Sequence, residues 1–422
     1  MHKIFYSLII IPFLFCCTNT KKTAMGEIEE VAEKSMAINI DDAFSDIREI
    51  RLSDIADSVS FLPLETTQEG LVTNIEYSFK FTPSFIFYYG GVFDWTGKFR
   101  GRIVKRGQGT YEDFGTDLLS HDNHFYSRGN KLIEYDNTGS PTGKVRKLYE
   151  DVNDDIDRRA GVEFFNAGKN LAIYSYPNRI FFINTDFETI GTRLVAGSDT
   201  LKPHQRDNGK NFATYYKVNT LFYNFMNDTI FYVTEDGLEP QWVVNFTGNH
   251  RLSTEILLMN GNIFRDEEIQ ILSSGIRNFE NTKRVLLWDK KHIANGAFET
   301  DNYIFFPMQE LTPLAGARGK KEEAPYLVIF DKISHQTFRV KGDGFLDDLT
   351  GLAGMNGKSY FFPSNGIIDE KMIHAVWPFE LLDFVKECQK AGRAVNPRLL
   401  EFSRTIKEDD NPVLVLVCLK QK

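Results

Sequence analysis

Short apolar runs recur along the chain, and each of them closes on an Asp or a Thr. The runs are Val92–Asp94, Leu132–Asp136, Ile180–Thr185, Thr229–Thr234, Val285–Asp289 and Leu327–Asp331. Their closing residues are separated by 42, 49, 49, 55 and 42 positions. A repeat of this length suits one four-stranded blade of a β-propeller per step. The pattern therefore predicts an all-β, six-bladed β-propeller, with blades near residues 66–115, 116–160, 161–208, 209–262, 263–318 and 319–372.

Two strand-like segments flank the repeat region. Val59–Glu65 alternates apolar and polar side chains in part, and Pro63 favours a place at a sheet edge. Pro412–Leu419 is the most strongly β-forming run of the chain. An open ring would leave unpaired strand edges, so one chain end usually completes the blade built by the other. We expect these two terminal segments to pair and close the ring.

One segment near the C-terminus, about residues 378–408, breaks the β pattern. Its apolar residues share a helical stripe, formed by Phe379, Leu382 and Val385 with Leu381 and Phe384 beside it. Pro378 suits a first helical position and Gly392 suits a helix end. The sequence predicts a helix over Pro378–Lys390 and a second short helix over Pro397–Glu408. Both would pack on a face or rim of a single propeller domain that spans residues 46–422.

Composition supports one large propeller domain and argues against nucleic acid as a partner. Aromatic residues make up 14% of the 422 residues, which suits blade faces filled by bulky strand side chains. The formal net charge is −9, and no basic block interrupts the chain. Binding to nucleic acid is therefore not expected.

The first residues predict export and a lipid anchor. After a positive start, Ile4–Phe15 is an apolar stretch that is too short to span a bilayer and suits a secretory signal peptide. It leads into Cys16 and Cys17, which resembles the lipobox of bacterial lipoproteins, in which the acylated Cys becomes the new N-terminus. We assign the lipid to Cys17, because Cys16 would put bulky Phe15 at a cleavage site that prefers a small residue. Residues 1–17 then form the signal peptide; an ordinary signal peptide with two incidental cysteines is the alternative.

The polar, charged residues 18–45 predict a flexible tether between the lipid and the fold. The expected location is the bacterial cell envelope, with the membrane contacted through the lipid and the protein facing the periplasm or the cell surface.

Cys388 and Cys418 are the cysteines that remain after processing. One lies on a predicted helix and the other in a predicted strand. Buried free thiols are favoured, although an oxidising periplasm would also permit a disulfide.

Several motifs together resemble a known family. They are the lipobox-like start, Leu52–Thr66, the turn Arg106–Tyr111, Asn227–Tyr232, Gly344–Asp348 and the terminal Asn411–Val417. In these features the chain is similar, over about residues 50–420, to the six-bladed β-propeller lipoproteins of Bacteroidetes, whose blades are NHL-like. The resemblance implies the fold and the lipid anchor. It implies no activity, because that family has no agreed biochemical function.

No pattern in the sequence indicates a catalytic centre, a metal site or a cofactor. His121 and His124 lack a nearby Cys or Glu pattern and favour a surface turn over a zinc site. Asp151–Asp157 superficially resembles a calcium loop, but Ile156 stands where that loop requires a Gly. Gly107–Gly109 lacks the Lys-Ser/Thr pair of a phosphate loop. We therefore assign no catalytic residue, metal ligand or cofactor.

One modification site is suggested by resemblance. Asp57–Val59 matches the three-residue O-glycosylation motif that Bacteroidetes use on exported proteins, and Asp199–Leu201 and Asp228–Ile230 match it too. We take Ser58 as the candidate modified residue.

These observations favour a binding or scaffold module over an enzyme. The leading hypothesis is a non-catalytic envelope propeller that offers one face to a glycan, a peptide or an envelope protein. Trp95, Trp242 and Trp377 are candidate platforms, with packing between blades as the alternative for each. The competing hypothesis is a lyase or hydrolase of polysaccharide or peptide, which predicts His, Tyr, Arg and carboxylates converging at the channel mouth. A third hypothesis, an assembly subunit, predicts an exposed apolar patch around the helices of residues 378–408.

Overall fold

Six β-sheets arranged around one axis form a six-bladed propeller, which confirms the predicted fold class. The computed structural model describes residues 36–75, 79–105, 107, 109–112, 117–129, 131–147, 163–175, 179–194, 213–223, 229–246, 291–294, 296–311 and 325–421. The cysteines Cys16 and Cys17, the acidic segment Asp151–Asp157 and the run Val285–Asp289 lie outside these residues.

Three strands precede the first blade in the described part of the chain. They are β1 (Met36–Asn39), β2 (Ile47–Arg48) and β3 (Ala56–Pro63). A 3-10 helix at Ile40–Phe44 and the short helix α1 at Leu52–Ile55 lie between them.

Blades 1 to 3 each consist of four consecutive antiparallel strands. Blade 1 contains β4 (Phe79–Phe81), β5 (Phe85–Tyr88), β6 (Gly91–Asp94) and β7 (Phe99–Arg102). Blade 2 contains β8 (Asp117–His121), β9 (His124–Arg128), β10 (Lys131–Tyr135) and β11 (Pro141–Lys147). Blade 3 contains β12 (Glu163–Ala167), β13 (Asn170–Ser175), β14 (Arg179–Ile183) and β15 (Thr189–Leu194). The first strand of each blade faces the propeller axis, and the fourth lies at the rim.

Blades 4 to 6 draw on strands from elsewhere in the chain. Blade 4 contains β16 (Ala213–Tyr216), β17 (Asn219–Phe222), β18 (Thr229–Thr234) and β19 (Gly237–Asn245). Blade 5 contains β20 (Lys291–Ala294), β21 (Phe298–Glu299), β22 (Tyr303–Leu311), β23 (Tyr326–Asp331) and β24 (Gln336–Val340). The pair β25 (Phe345–Leu346) and β26 (Tyr360–Phe361), with a 3-10 helix at Met355–Gly357, leads to blade 6. Blade 6 contains β27 (Gly366–Ile368), β28 (Lys371–Val376), β29 (Val413–Leu419) and the N-terminal β3.

The division between the last two blades differs from the predicted one. The predicted boundary at residue 318 is wrong, because β22 and β23 lie on either side of it and pair in one sheet, with Tyr303 opposite Asp331. The run Leu327–Asp331 therefore belongs to blade 5. The third strand of blade 6 is β29, which carries the last apolar run of the chain.

Middle strands are buried on both sides because the blades pack face to face. In β23 the side chains of Tyr326–Phe330 are all buried, and in β29 every residue except Cys418 is buried. A strand in this position needs a continuous apolar run instead of an alternating one. This requirement accounts for the runs that recur in the sequence.

The ring closes by pairing of the two chain ends, as expected. Strand β3 is antiparallel to β29, with Pro63 opposite Val413 and Val59 opposite Val417. Beyond the strands, the amide N–H of Leu64 donates to the Pro412 carbonyl at 3.1 Å. The N-terminal strand is thus the rim strand of blade 6.

The residues before β3 form a strap along the rim of the propeller. Strand β1 pairs in parallel with β19 of blade 4, and β2 pairs in parallel with β24 of blade 5. Ile38, Ile40 and Ala43 are fully or almost fully buried. The predicted tether therefore extends too far: residues 36–45 belong to the fold, because this segment covers the outer strand edges of two blades.

In blades 1, 2 and 5, the Asp that closes the repeated run caps the turn between the third and fourth strands. Asp94 Oδ1 accepts hydrogen bonds from the amides of Thr96 (2.8 Å) and Lys98 (3.1 Å), and Asp136 Oδ1 does the same for Thr138 and Ser140. In blade 3 the capping residue is Asn184 and not the predicted Thr185. In blade 5 it is Asp331. The repeat thus reflects a side chain that fixes the same turn in successive blades.

Two helices are inserted between the second and third strands of blade 6. Helix α2 spans Pro378–Lys390, as predicted, and α3 spans Pro397–Phe402, shorter than predicted. The buried side chains of α2 are Pro378, Leu381, Phe384, Val385 and Cys388. Phe379, which was expected in the buried stripe, is 46% exposed instead, because the helix turns its Leu381–Cys388 face to the sheet core. Cys388 and the half-buried Cys418 are free thiols.

We predict that Asp94→Ala lowers the free energy of unfolding by about 1–2 kcal/mol, because the two amides that it caps lose their acceptor. Urea denaturation monitored by tryptophan fluorescence measures the change. Asp94→Asn is the matched control and should recover most of the loss, because its side-chain oxygen can still accept both bonds. Equal stability of Asp94→Ala and the unsubstituted protein would contradict a capping role.

Candidate functional site

Polar side chains link the first strands of the blades around the propeller axis. Lys80 Nζ of blade 1 lies 2.6 Å from Asp117 Oδ1 of blade 2 and also donates to the Phe164 carbonyl of blade 3. Blades 1 and 3 are not neighbours, so this side chain reaches past blade 2. The further links join Glu163 to Ala213 N (3.0 Å), Thr214 to Ala297 O (2.8 Å), Asp301 N to Glu370 (2.8 Å) and Asn365 to Ile75 O (2.8 Å). Every blade takes part in this axial network.

The axial network contains the kinds of residue that an enzyme would use. Tyr215 is 7% exposed, and its burial, together with the negative charges of Glu163 and Asp117, raises the pKa of its hydroxyl. The hydroxyl therefore stays protonated at physiological pH. Arg128 Nε lies 3.7 Å from Asp117 Oδ2. Lys80, Asp117 and Glu163 all bind groups of neighbouring blades, which indicates a role in holding the ring together.

A second polar group lies where the first and second strands of blades 4 to 6 connect. Asp301 Oδ1 accepts from the Tyr216 hydroxyl at 2.8 Å and lies 2.6 Å from Lys217 Nζ. The Lys217 ammonium, followed by the Tyr216 hydroxyl, holds the pKa of Asp301 below its ordinary value. Burial raises the pKa of Glu370. The buried Glu299 pairs with Lys332 at 2.8 Å in the same region. The Lys217–Asp301 ion pair joins blades 4 and 5, the Glu299–Lys332 pair lies within blade 5, and the Asp301 amide donates to Glu370 of blade 6.

A serine and a histidine are in contact on blade 6. Ser364 Oγ lies 2.8 Å from His374 Nδ1. Burial, followed by the positive charge of Lys358, lowers the pKa of His374 to about 4. A general base works best when its pKa is near the working pH, and it needs a third group to orient it. His374 is a weak base, so this pair does not make Ser364 a strong nucleophile.

A cleft opens at the end of blade 1, where its second strand connects to its third. Its volume is about 760 Å³. It is lined by Leu71, Thr73, Asn74, Tyr88, Tyr89, Arg102 and Val104. The lining residues come from three segments of the chain. These are the link between β3 and β4, the turn between β5 and β6, and the residues at and just after the end of β7. It presents aromatic, aliphatic, hydroxyl, amide and guanidinium groups to solvent.

Tyr89 is the most unusual residue of the cleft. Its φ angle of +41° is in the left-handed region, which favours Gly and Asn and is costly for an aromatic residue. Gly90 follows at φ +83°, and an added Cβ there would meet Val104 at 3.1 Å. The turn holds the Tyr89 ring 38% exposed, in edge-to-face contact with Tyr88 at 4.9 Å between ring centres. The turn therefore leaves part of the Tyr89 ring open to solvent.

The guanidinium of Arg102 forms one wall of the cleft. Nη1 donates to the Tyr89 carbonyl at 2.6 Å, and Nη2 and Nε donate to the Glu69 carbonyl at 2.8 and 3.2 Å. Two of the five N–H groups of the guanidinium are left over after these bonds. Within the described residues no carboxylate forms an ion pair with Arg102, so its positive charge is not neutralised by a partner side chain.

A buried asparagine from the other chain end holds the cleft segment in place. Asn411 is 1% exposed and precedes β29. Its Oδ1 accepts from the Val72 amide at 2.8 Å, and its Nδ2 donates to the carbonyls of Glu65 and Gly70, both at 2.8 Å. The Tyr88 hydroxyl accepts from the amides of Thr73 and Asn74. Ring closure thus shapes the cleft.

The residues singled out from the sequence lie apart from the cleft. Ser58 is half-buried on the rim strand of blade 6, where its hydroxyl donates to Asp57 at 3.0 Å. Trp95, Trp242 and Trp377 are each half-buried. Trp95 stacks on Phe81, and Trp242 packs edge-on to Phe330. These two tryptophans therefore contribute to packing more than to an open platform.

The histidine pair forms a tight hairpin turn, as favoured over a zinc site. His121 lies opposite His124 in the β8–β9 pairing, and Asp122 and Asn123 between them have positive φ angles. His121 Nε2 contacts the Lys169 carbonyl at 3.0 Å. Among the described residues, no cluster of three His, Cys, Asp or Glu side chains is arranged to hold a metal ion. In the same residues, none of the helices has the length and apolar character required to cross a membrane.

The chain was compared with known families and with solved structures. A family model described as a domain of unknown function matches residues 36–418. A Bacteroides fragilis protein described as exported is 16% identical and superimposes with a TM-score of 0.59, over 92% of this chain and 99% of that one. A member of the DUF4221 family from Bacteroides vulgatus is 8% identical, with a TM-score of 0.39, over 86% of this chain and 97% of that one. No curated protein matches the chain.

We predict that Asn411→Ala destabilises the fold by about 2–4 kcal/mol, because it leaves one buried amide and two buried carbonyls without their partner. Hydrogen exchange should show faster exchange of the Val72 amide. Asp409→Ala, at an exposed neighbouring position, is the control and should leave both quantities unchanged. Unaltered exchange at Val72 in Asn411→Ala would rule out the clamp.

We predict that His374 makes stability depend on pH. Its pKa falls from 6.5 to about 4 on folding, so the unfolded chain takes up a proton that the folded chain excludes. The free energy of unfolding should therefore drop by about 1–3 kcal/mol as the pH falls from about 6.5 to about 4. His374→Gln should lose this part of the pH dependence when denaturation midpoints are compared across that range. Parallel pH profiles for both proteins would refute the assignment.

Proposed function

Because the chain belongs to the DUF4934 family, a domain of unknown function, we propose its function from its own site: it is an exported, non-catalytic binding module whose ligand occupies the cleft at blade 1. The observation that carries the proposal is the exposed ring of Tyr89, held at a positive φ angle beside Arg102. The two-residue turn between β5 and β6 requires this φ angle, and it places the Tyr89 ring in the lining of the cleft.

The location follows from the N-terminus. We propose that Cys17 carries the lipid and that the mature protein is tethered to the cell envelope. The apolar stretch before the cysteine supports this location, and the similar Bacteroides protein is described as exported. Replacing Cys17 with Ser should release the protein from the membrane fraction, and retention there would count against the anchor.

The distribution of polar groups favours binding over catalysis. Asp117 and Glu163 near the axis and the Tyr216 hydroxyl are engaged in bonds between blades, and the Ser364–His374 pair has a weakly basic histidine. The cleft itself lacks a carboxylate and a histidine among its lining residues. It contains groups that recognise a ligand but no acid–base pair that would transform it.

The test screens oligosaccharide and short-peptide arrays with the full-length protein, then measures binding of any hit by calorimetry. We expect a hit whose affinity falls at least tenfold in Tyr89→Asn, because Asn suits the positive φ angle and removes only the ring. The control is Tyr111→Asn, which removes an exposed tyrosine outside the cleft. Hits that are indifferent to Tyr89→Asn would refute the cleft as the site. Turnover of a hit that is lost in Ser364→Ala would favour the hydrolase hypothesis instead.

A further inference from the structure

The charge of the cleft restricts its ligand. Among the residues that the structure describes, its lining contains one cation, Arg102, and no anion. The guanidinium is fixed by main-chain carbonyls of Tyr89 and Glu69, which leave its charge in place. Two N–H groups remain, and paired N–H groups of an arginine match the two oxygens of a carboxylate. A ligand with a carboxylate would complete the hydrogen bonding of this side chain.

The aromatic group beside Arg102 restricts the ligand further. The Tyr89 ring packs edge-to-face against Tyr88 and is 38% exposed, so a ligand can stack on its open part. The face of an aromatic ring carries negative charge and attracts the partly positive C–H hydrogens of a sugar ring. Thr73 and Asn74 are exposed in the same lining, and the Thr73 hydroxyl, which bonds to the Tyr88 hydroxyl at 3.0 Å, has capacity for a further bond to a sugar hydroxyl.

We propose that the cleft binds an oligosaccharide that contains a uronic acid. Arg102 holds the sugar carboxylate, and the Tyr89 ring stacks on the face of the same or the adjacent sugar. The lining suits this ligand better than a peptide, because four groups that match a sugar acid lie together: a guanidinium, an aromatic ring, a hydroxyl and an amide. This inference rests on the proposed function, since it names the ligand of the same site.

The experiment is calorimetric titration of the full-length protein with trisaccharides of galacturonic, glucuronic and mannuronic acid and with their uncharged methyl esters. We expect at least one acid to bind at least tenfold more tightly than its ester. Raising the salt concentration should weaken the binding of the acid and leave the ester unaffected, because an exposed charge pair is screened.

Matched variants separate the two side chains. Arg102→Gln should lower the affinity for the acid at least tenfold. The affinity of Arg102→Lys should lie between those of Arg102→Gln and the unsubstituted protein, because lysine keeps the charge without the paired N–H groups. Tyr89→Phe should bind nearly as well as the unsubstituted protein, and Tyr89→Asn should not. Arg100→Gln is the control, since Arg100 lies on the same strand but pairs with Asp94.

The outcomes distinguish this inference from the proposed function. Equal affinity for acid and ester, no binding to any of the acids, or indifference to Arg102→Gln overturns the uronic acid. If a neutral glycan or a peptide from the arrays binds instead and its binding requires Tyr89, the proposal of a binding module is supported and only the proposed ligand is wrong. If every ligand found is indifferent to Tyr89 and Arg102, both proposals fail.

Discussion

The pairing of β3 with β29 is the interaction on which the rest of the structure depends. It joins residues near the two ends of the chain and turns a row of blades into a ring, so that no blade is left with an unpaired neighbour. The same pairing sets the course of the link from Leu64 to Ile75, because Asn411, next to β29, binds three main-chain groups of that link. The cleft therefore takes its shape only when the ring is closed.

Much of the fold could be predicted from the sequence, because two requirements of the blades produce recognisable sequence patterns. Strands buried on both sides need continuous apolar runs, and the turn after the third strand needs a capping carboxylate or amide, as at Asp94 and Asp331. The strap was missed for a related reason. Met36–Asn39 lies within a polar stretch and is too short to show a period, and its strand character comes from the open edge of β19 that it covers. The exposed position of Phe379 likewise depends on how α2 meets the sheet, which its own periodicity does not determine.

The candidate site could not be predicted in the same way. Its lining comes from three stretches, around Leu71, Tyr89 and Arg102, and tertiary structure alone brings the first next to the others. The groups with evident chemical potential, such as Lys80 and Asp117, turned out to hold blades together. One local trace was present: Tyr88–Gly91 places an aromatic residue at a hairpin position where Asn or Asp would be the ordinary choice.

The strap also determines the order in which the protein can be completed during synthesis. The first three strands are made long before their partners: β1 pairs with residues 206 positions later, β2 with residues 292 positions later, and β3 with residues about 350 positions later. At about 5–20 residues per second, β3 waits roughly 20–70 s for its partner. The ring can close only after β29 has been made, because β3 pairs with Val413–Leu419. Until the two ends meet, the apolar edge of β3 lacks its partner and is open to aggregation.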